Sequence, residues 1–168
     1  MERCQETIAP LAHSLDKKHA IDASFNEVDY GEWTNQPLAQ LALTDTWKTV
    51  QNRPSLAAFP QGESLVQAQN RIVGRIEEIR VQETGNVFIA SHCDMIKLAV
   101  AHYAGMHVDL FQRIVILPAS FSVIRFEDFG CQIECVNDSG SITDFFPDTE
   151  TASGTEMTTR AAKEMGIS

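Results

Sequence analysis

The most informative polar residues of this sequence are Ser91–Asp94, which directly follow the short apolar run Val87–Ala90. The run suits a strand buried on both faces, and the residues after it have the apolar spacing of a helix. Ligands of open α/β sheets bind at the carboxyl ends of strands, where the free N–H groups of a helix N-terminus favour an anion. His92 could add a donor or a positive charge to such a site. The alternative is a helix cap beside a histidine that has no ligand.

Arg3 and Glu27 are the other two candidate functional residues. Arg3 stands almost at the start of the sequence, and Glu27 lies in the carboxylate-rich stretch Phe25–Trp33. Taken singly, each has a plainer interpretation, namely a solvated terminal charge and a solvated turn. Each of these signals is therefore weak on its own.

Helices and short apolar strands must position these residues. Helical spacing predicts α-helices over about residues 4–19, after Pro37, around Trp47, from Leu65 to near Gly85, and over about 94–104. Strands are predicted at 87–90, 114–117, 120–127 and 131–137, with a turn between the last two. This order predicts an α/β fold, a three-layer sandwich with a mostly parallel sheet and a hairpin at one edge. It also predicts a domain over residues 1–138 and a flexible acidic and polar tail over 139–168.

Composition excludes several classes of function. The chain has 168 residues, which suits one domain, and its 23 acidic against 13 basic residues give a net charge of −10. Such a charge disfavours attraction to nucleic acid or to anionic lipid. No apolar run approaches the roughly 18 residues of a membrane helix. The first six residues also lack the features of a secretory signal, which favours the cytoplasm.

The four cysteines indicate no metal site. They lie at positions 4, 93, 131 and 135, and no CxxC pair is present. We therefore expect reduced thiols without zinc.

Five segments in order resemble the histidine phosphatase superfamily, the phosphoglycerate mutase-like proteins. The first, Glu2–Thr7, resembles its S-P-x-x-R-x-x-x-T segment, and the second, Asn26–Trp33, its L-x-E-x-x-x-G-x-W-x-G loop. Pro60–Ser64 resembles its P-G-G-E-S turn, and Val87–Ile96 resembles its strand ending in Ser-His-Gly. Pro118–Ser120 resembles a later conserved segment of the superfamily. Within the superfamily, the chain is most similar to an actinobacterial-type subgroup described as phosphomutases.

The resemblance implies a role for each matching residue. A nucleophilic histidine would attack a phosphomonoester and form a phosphohistidine, which water or a second hydroxyl then discharges. Arg3 would clamp the phosphate oxygens, His92 would neutralise charge on the transferring group, and Glu27 would protonate the leaving oxygen. Cys93 would contribute its backbone N–H, although its side chain replaces the glycine of Ser-His-Gly and crowds the pocket. The implied ligand is a small phosphorylated metabolite, and the scheme requires no metal or cofactor.

The superfamily's Arg-His-Gly, which ends the first strand and carries the nucleophile, is absent from the sequence. Because the resemblance begins at residue 2, we expect an N-terminally truncated chain that lacks its first strand and is inactive. One alternative is a catalytically dead module that binds a phosphate ligand or regulates another protein. Another is a fragment that acts in a complementing assembly. An exposed interior sheet edge predicts a homodimer or a domain-swapped oligomer.

Overall fold

Helices dominate residues 1–140, the part of the chain that the computed structural model describes. The five α-helices of this part are α1 (Glu2–Ser14), α2 (Leu38–Leu41), α3 (Asp45–Asn52), α4 (Leu65–Gln82) and α5 (Cys93–Tyr103). Short 3-10 turns lie at Ala23–Phe25, Gly31–Trp33, Pro54–Leu56 and Val108–Arg113, and two strands follow, β1 (Phe121–Glu127) and β2 (Gly130–Asp138).

The core forms where α4 packs against α5. A capping box fixes the start of α4, because the Ser64 side chain accepts from the Gln67 N–H and the Gln67 side chain accepts from the Ser64 N–H. Helix α4 buries one apolar face, as its spacing predicted, whereas α5 buries four consecutive residues and is thus enclosed on most sides. The buried residues are Leu65, Ala68, Ile72 and Val73 on α4 and Met95, Leu98, Ala99, Val100 and Ala101 on α5. Phe59 and Phe111 complete this core from neighbouring turns.

Helix α1 is shorter than predicted, because it ends at Ser14 and not near His19. Asp16 adopts a left-handed conformation with a φ of 50°. The N–H of Lys17 donates to the carbonyl of Ala12, and the N–H of Asp16 donates to the carbonyl of His13. These bonds form a Schellman motif, which satisfies the last carbonyls and ends the helix. None of the residues of α1 is buried.

The sheet differs from the prediction. In residues 1–140 the sheet consists of the antiparallel pair β1–β2 alone, in which Glu127 lies opposite Gly130 across the predicted turn. The segments 87–90 and 114–117 form no strand. The predicted three-layer sandwich with a mostly parallel sheet is therefore not confirmed in the described residues, whereas the predicted hairpin is confirmed.

The failed strand predictions have a physical cause. An apolar run indicates burial, but a strand also requires a hydrogen-bonded neighbour, which the run itself does not specify. Val87 and Ile89 are exposed, as are Val115 and Leu117 on either side of the buried Ile116. Alternate side chains of both segments thus face solvent. The prediction that the 87–90 segment is buried on both faces is therefore wrong.

The division into a domain and a tail stays a prediction. Residues Met1–Asp138 form one compact unit. Beyond its first two residues, the predicted tail over 139–168 lies outside the described residues. Within residues 1–140, none of the helices combines the length and the apolar character that crossing a bilayer requires.

Candidate active site

His92 is the N-cap residue of α5, at the point where the chain leaves the 87–90 segment. Its side chain is 3% exposed. The Arg3 guanidinium donates to His92 Nδ1 through Nη2 at 2.8 Å and through Nε at 3.3 Å. The preceding Ser91 hydroxyl donates to the carbonyl of Phe25 at 2.8 Å, which ties the start of α5 to the loop that carries Glu27.

Glu27 completes a triangle with Arg3 and His92. Its Oε2 lies 3.9 Å from Arg3 Nη2 and 3.7 Å from His92 Nδ1. The side chain of Glu27 is 18% exposed, whereas that of Arg3 is 66% exposed. The structure therefore brings together three of the predicted site residues, with a buried histidine, a half-buried carboxylate and an arginine that remains open to solvent.

The protonation states follow from these contacts. Burial, the Arg3 charge and the N-terminal charge lower the pKa of His92 below its ordinary value, which favours the neutral imidazole. A guanidinium can only donate, so Nδ1 carries the lone pair and Nε2 carries the proton. Nε2 lies 3.4 Å from Cys4 Sγ and donates toward it.

Glu27 has the opposite character. Burial is the main cause that raises the pKa of this carboxyl, and the charge of Asp94 adds to the rise. The N–H of Val28, which donates to Glu27 Oε1 at 3.1 Å, and the charge of Arg3 work against it. A carboxyl with a raised pKa retains its proton at a higher pH, which suits a proton donor.

Arg71, on α4, holds the Glu27 loop, and the sequence analysis missed it. Its Nη1 donates to the carbonyls of Ala23, Ser24 and Asn26 at 3.2, 2.8 and 3.1 Å, and its Nη2 donates to the carbonyl of Glu27 at 3.4 Å. The same guanidinium pairs with Glu63. The signal was present, because Arg71 stands one turn after Ala68 on the buried face of α4, where an arginine requires partners.

A second support joins the Glu27 loop to the turn at Pro60–Ser64. The backbone N–H of Asp29 donates to Glu63 Oε1 at 2.9 Å. The backbone N–H of Glu63 in turn donates to the carbonyl oxygen of Asp29 at 3.0 Å. A Cβ placed on Gly62 would lie 2.2 Å from the carbonyl oxygen of Asp29. Only glycine permits this close approach. The Glu27 loop and the Pro60–Ser64 turn, which are separate segments of the family resemblance, therefore form one structural unit.

Cys93 is the predicted site residue that the structure directs elsewhere. Its side chain is exposed, and its Sγ donates to the carbonyl of Ile116 at 3.3 Å. Its backbone N–H lies in the first turn of α5, where, among the described residues, His92 makes no side-chain capping bond. This turn is therefore available to an anion. All four cysteines of the chain are free thiols.

Tyr30 and Asp94 continue the site away from Arg3. The Tyr30 hydroxyl donates to Asp94 Oδ2 at 3.0 Å, and Lys97 Nζ lies 3.2 Å from Asp94 Oδ1. Burial and the neighbouring carboxylates raise the pKa of Tyr30, so this hydroxyl remains a donor.

The sequence of the chain is similar to that of a curated protein. A phosphoserine phosphatase 1 from Hydrogenobacter thermophilus is 24% identical over 131 residues, covering 76% of this chain and 62% of that protein. The chain thus spans less than two thirds of the length of this curated relative.

Solved structures share the fold at low sequence identity. YhfR of Bacillus stearothermophilus superposes with a TM-score of 0.75 at 18% identity, covering 82% of this chain and 70% of that one. An alpha-ribazole phosphatase from Shigella flexneri gives a TM-score of 0.71 at 20% identity, covering 83% and 71%. A mycobacterial glucosyl-3-phosphoglycerate phosphatase gives 0.72 at 18% identity, covering 82% and 73%. These likenesses establish the α/β fold.

The family itself is established by a model that spans most of the chain. The histidine phosphatase superfamily (branch 1) matches residues 1–139. This match includes all segments on which the resemblance was predicted, and it confirms the predicted superfamily. The chain belongs to the histidine phosphatase superfamily, branch 1.

Proposed function

We propose that this chain carries the phosphate clamp and the proton donor of a phosphatase or phosphomutase that acts on small phosphomonoesters through a phosphohistidine. The observation that supports this most is the triangle of Arg3, His92 and Glu27, which joins residues 89 positions apart in the sequence. Arg3, largely exposed, presents its remaining N–H groups to an incoming phosphate.

His92 and the first turn of α5 stabilise the transferring phosphoryl group. The neutral imidazole points Nε2–H toward the Cys4 side of the pocket, where it can donate to a phosphate oxygen. A bound dianion also favours the protonated imidazole, which then supplies a positive charge. Backbone N–H groups from Cys93 onward add donors without a charge of their own.

Glu27 protonates the leaving oxygen. Its raised pKa and low exposure support this assignment, because both help the carboxyl to reach the pocket in its acid form. Arg71 keeps the main chain of Glu27 in place without contacting its carboxylate.

We also infer that the nucleophile is not among the five histidines of this sequence. His13, His19, His102 and His107 are exposed. In the described residues, the contacts of Arg3 and Glu27 include His92 and none of these four. Within this proposal the 168 residues do not turn over substrate by themselves.

A phosphorylated small molecule is the substrate class that the relatives support. Their names refer to phosphoserine, alpha-ribazole phosphate chemistry and glucosyl-3-phosphoglycerate. The second candidate function, a phosphate-binding module without turnover, is favoured by the same absence of a histidine in Arg-His-Gly.

Titration with inorganic phosphate, followed by amide NMR of the whole chain, tests the clamp. We expect millimolar binding that shifts the Ser91–Ile96 amides, and we expect Arg3→Ala to abolish these shifts. Arg80→Ala, which removes another exposed arginine from the end of α4, serves as the matched control. Shifts that leave Ser91–Ile96 unchanged would refute the clamp. Turnover of an aryl phosphate that is lost in His92→Ala would refute the inference about the nucleophile.

A further inference from the structure

A cavity of about 260 Å³ lies beside the triangle of Arg3, His92 and Glu27. Tyr30 and Asp94 form part of its wall, and Asp94 lies in the first turn of the helix that His92 caps. The charge of Asp94 acts on Glu27, and the charges of Asp94 and Glu27 both act on Tyr30. Asp94, two residues after His92 on α5, therefore links the wall of this cavity to the proposed phosphate clamp.

Aromatic rings form the opposite wall. Trp33 and Trp47 stack at a centroid distance of 6.1 Å, and Phe59 meets Trp33 edge to face at 5.2 Å. Phe111 closes the base and is fully buried. This surface is apolar, rigid and held by the core, so it exists before a ligand binds.

The charge of the wall is balanced. Asp94 is the carboxylate of the lining, and its oxygens already contact the Tyr30 hydroxyl and the Lys97 ammonium. The lining also includes the amide side chains of Gln36, Gln51 and Gln112. Among the described residues that line this cavity, none is an arginine or a lysine. Amides bind hydroxyl and ether groups but do not neutralise a charge.

We propose that this cavity holds the non-phosphate part of the substrate, and that the substrate is the phosphomonoester of an uncharged, largely apolar alcohol or phenol. The proposal rests on the function proposed above and names its substrate class. An apolar cavity of roughly 150 Å³ suffices for one benzene ring, so this volume accommodates one ring with substituents.

Charged leaving groups are disfavoured for two reasons. A carboxylate, as in phosphoserine, would find no cation on the wall and would lie near Asp94. An ammonium group would find the tryptophan faces partly covered, because Trp33 and Trp47 stack on each other and Phe59 meets Trp33. The carboxylate that could pair with it is already neutralised by Lys97. We therefore expect selection against both signs of charge.

The two tryptophans of the sequence, Trp33 and Trp47, both line the cavity, so their indole N–H signals report on it directly. The full chain is titrated with inorganic phosphate, phenyl phosphate, cyclohexyl phosphate, O-phosphoserine and phosphocholine. We expect phenyl and cyclohexyl phosphate to bind at least about tenfold more tightly than inorganic phosphate and to shift both indole signals. O-phosphoserine and phosphocholine should bind no more tightly than inorganic phosphate.

Two variants sharpen the test. Trp47→Ala should remove the advantage of phenyl phosphate while leaving the binding of inorganic phosphate unchanged. Gln51→Lys, which adds a cation to the lining at an exposed position, should instead tighten the binding of O-phosphoserine several-fold. Gln82→Lys, at the exposed end of α4, should leave that binding unchanged.

The outcomes separate the two proposals. If inorganic phosphate shifts the amide signals of Ser91–Ile96 but all five ligands bind with equal affinity, the proposed substrate class is wrong and the phosphate clamp is supported. Tighter binding of O-phosphoserine or phosphocholine than of phenyl phosphate also overturns the substrate class. If inorganic phosphate fails to shift Ser91–Ile96, the clamp is wrong and the substrate proposal falls with it.

Discussion

Arg71 holds Glu27 by its main chain and leaves its carboxylate free. Its Nη2 donates to the Glu27 carbonyl oxygen at 3.4 Å, while the Glu27 carboxylate faces Arg3. One cation on α4 thus fixes where the proton donor stands, and it acts on the carboxyl itself only through its charge, which works against the rise in the pKa of Glu27.

Arg71→Ala should lower the free energy of unfolding by about 2–4 kcal/mol, because it removes the cation that pairs with Glu63 and leaves several carbonyls of the Glu27 loop without their guanidinium donor. Urea denaturation of the whole chain measures this loss. Arg80→Ala removes an exposed ion pair with Glu77 and should cost no more than about 1 kcal/mol. Equal effects of the two substitutions would contradict the role assigned to Arg71.

Two glycines should respond in opposite directions to substitution by alanine. A Cβ on Gly62 would overlap the Asp29 carbonyl, so Gly62→Ala should destabilise the fold by at least about 2 kcal/mol and separate the Glu27 loop from its supporting turn. Gly74 lies within α4 with open space around it, so Gly74→Ala should stabilise by about 0.5–1 kcal/mol. Thermal unfolding of both variants checks the pair, and a neutral Gly62→Ala would show that the loop and the turn separate freely.

His92 should make the fold sensitive to mild acid. Because its pKa is lowered in the folded protein, the unfolded chain binds the proton more readily. The stability that the neutral imidazole contributes is complete above the ordinary pKa of 6.5 and is lost as the pH falls from there through the folded pKa. Urea midpoints at pH 7.5, 6.5 and 5.5 should decline for the native chain and decline less for His92→Gln. His102→Gln, at an exposed position, should follow the native chain.

Glu27 should show the opposite linkage. Its pKa is raised in the fold, so its stabilising contribution is present in acid and is lost as the pH rises from its ordinary value of 4.5 through the folded pKa. Glu27→Gln keeps the shape and cannot ionise, so at pH 7 it should be more stable than the native chain. Denaturation at pH 4 and pH 7 tests this expectation, with exposed Glu32→Gln as the control. A variant less stable than the native chain at pH 7 would show that the ion pair with Arg3 outweighs burial.

The exposed apolar residues of the 87–90 and 114–117 segments should cause self-association. Val115 and Leu117 flank the buried Ile116 and present a surface for pairing with another chain. Sedimentation should show a concentration-dependent increase in mass that Leu117→Lys reduces and that Leu43→Lys, at another exposed leucine, leaves unchanged. A native chain whose mass stays that of a monomer at every concentration would contradict this prediction.

Local patterns predicted the helices and the hairpin, because helical spacing, caps and turns are encoded within a few residues. The segments 87–90 and 114–117 were wrong as strands, since the partner of a strand is specified elsewhere in the chain. His92, Arg3 and Glu27 were found through their motifs. Arg71 was missed because its main acceptors, four carbonyls of one loop and the Glu63 carboxylate, become neighbours only after folding.

Helix α1 supplies Arg3 and Cys4, which contact both ring nitrogens of His92, yet it buries none of its own residues. Its side chains are at most half-buried, and elements with so little buried surface open at a lower free energy than the core. The apparent affinity for phosphate equals the intrinsic affinity multiplied by the fraction of molecules in which α1 is docked. Ligand binding and docking of this helix are one coupled equilibrium, so phosphate should slow amide hydrogen exchange along α1, far beyond the atoms it touches.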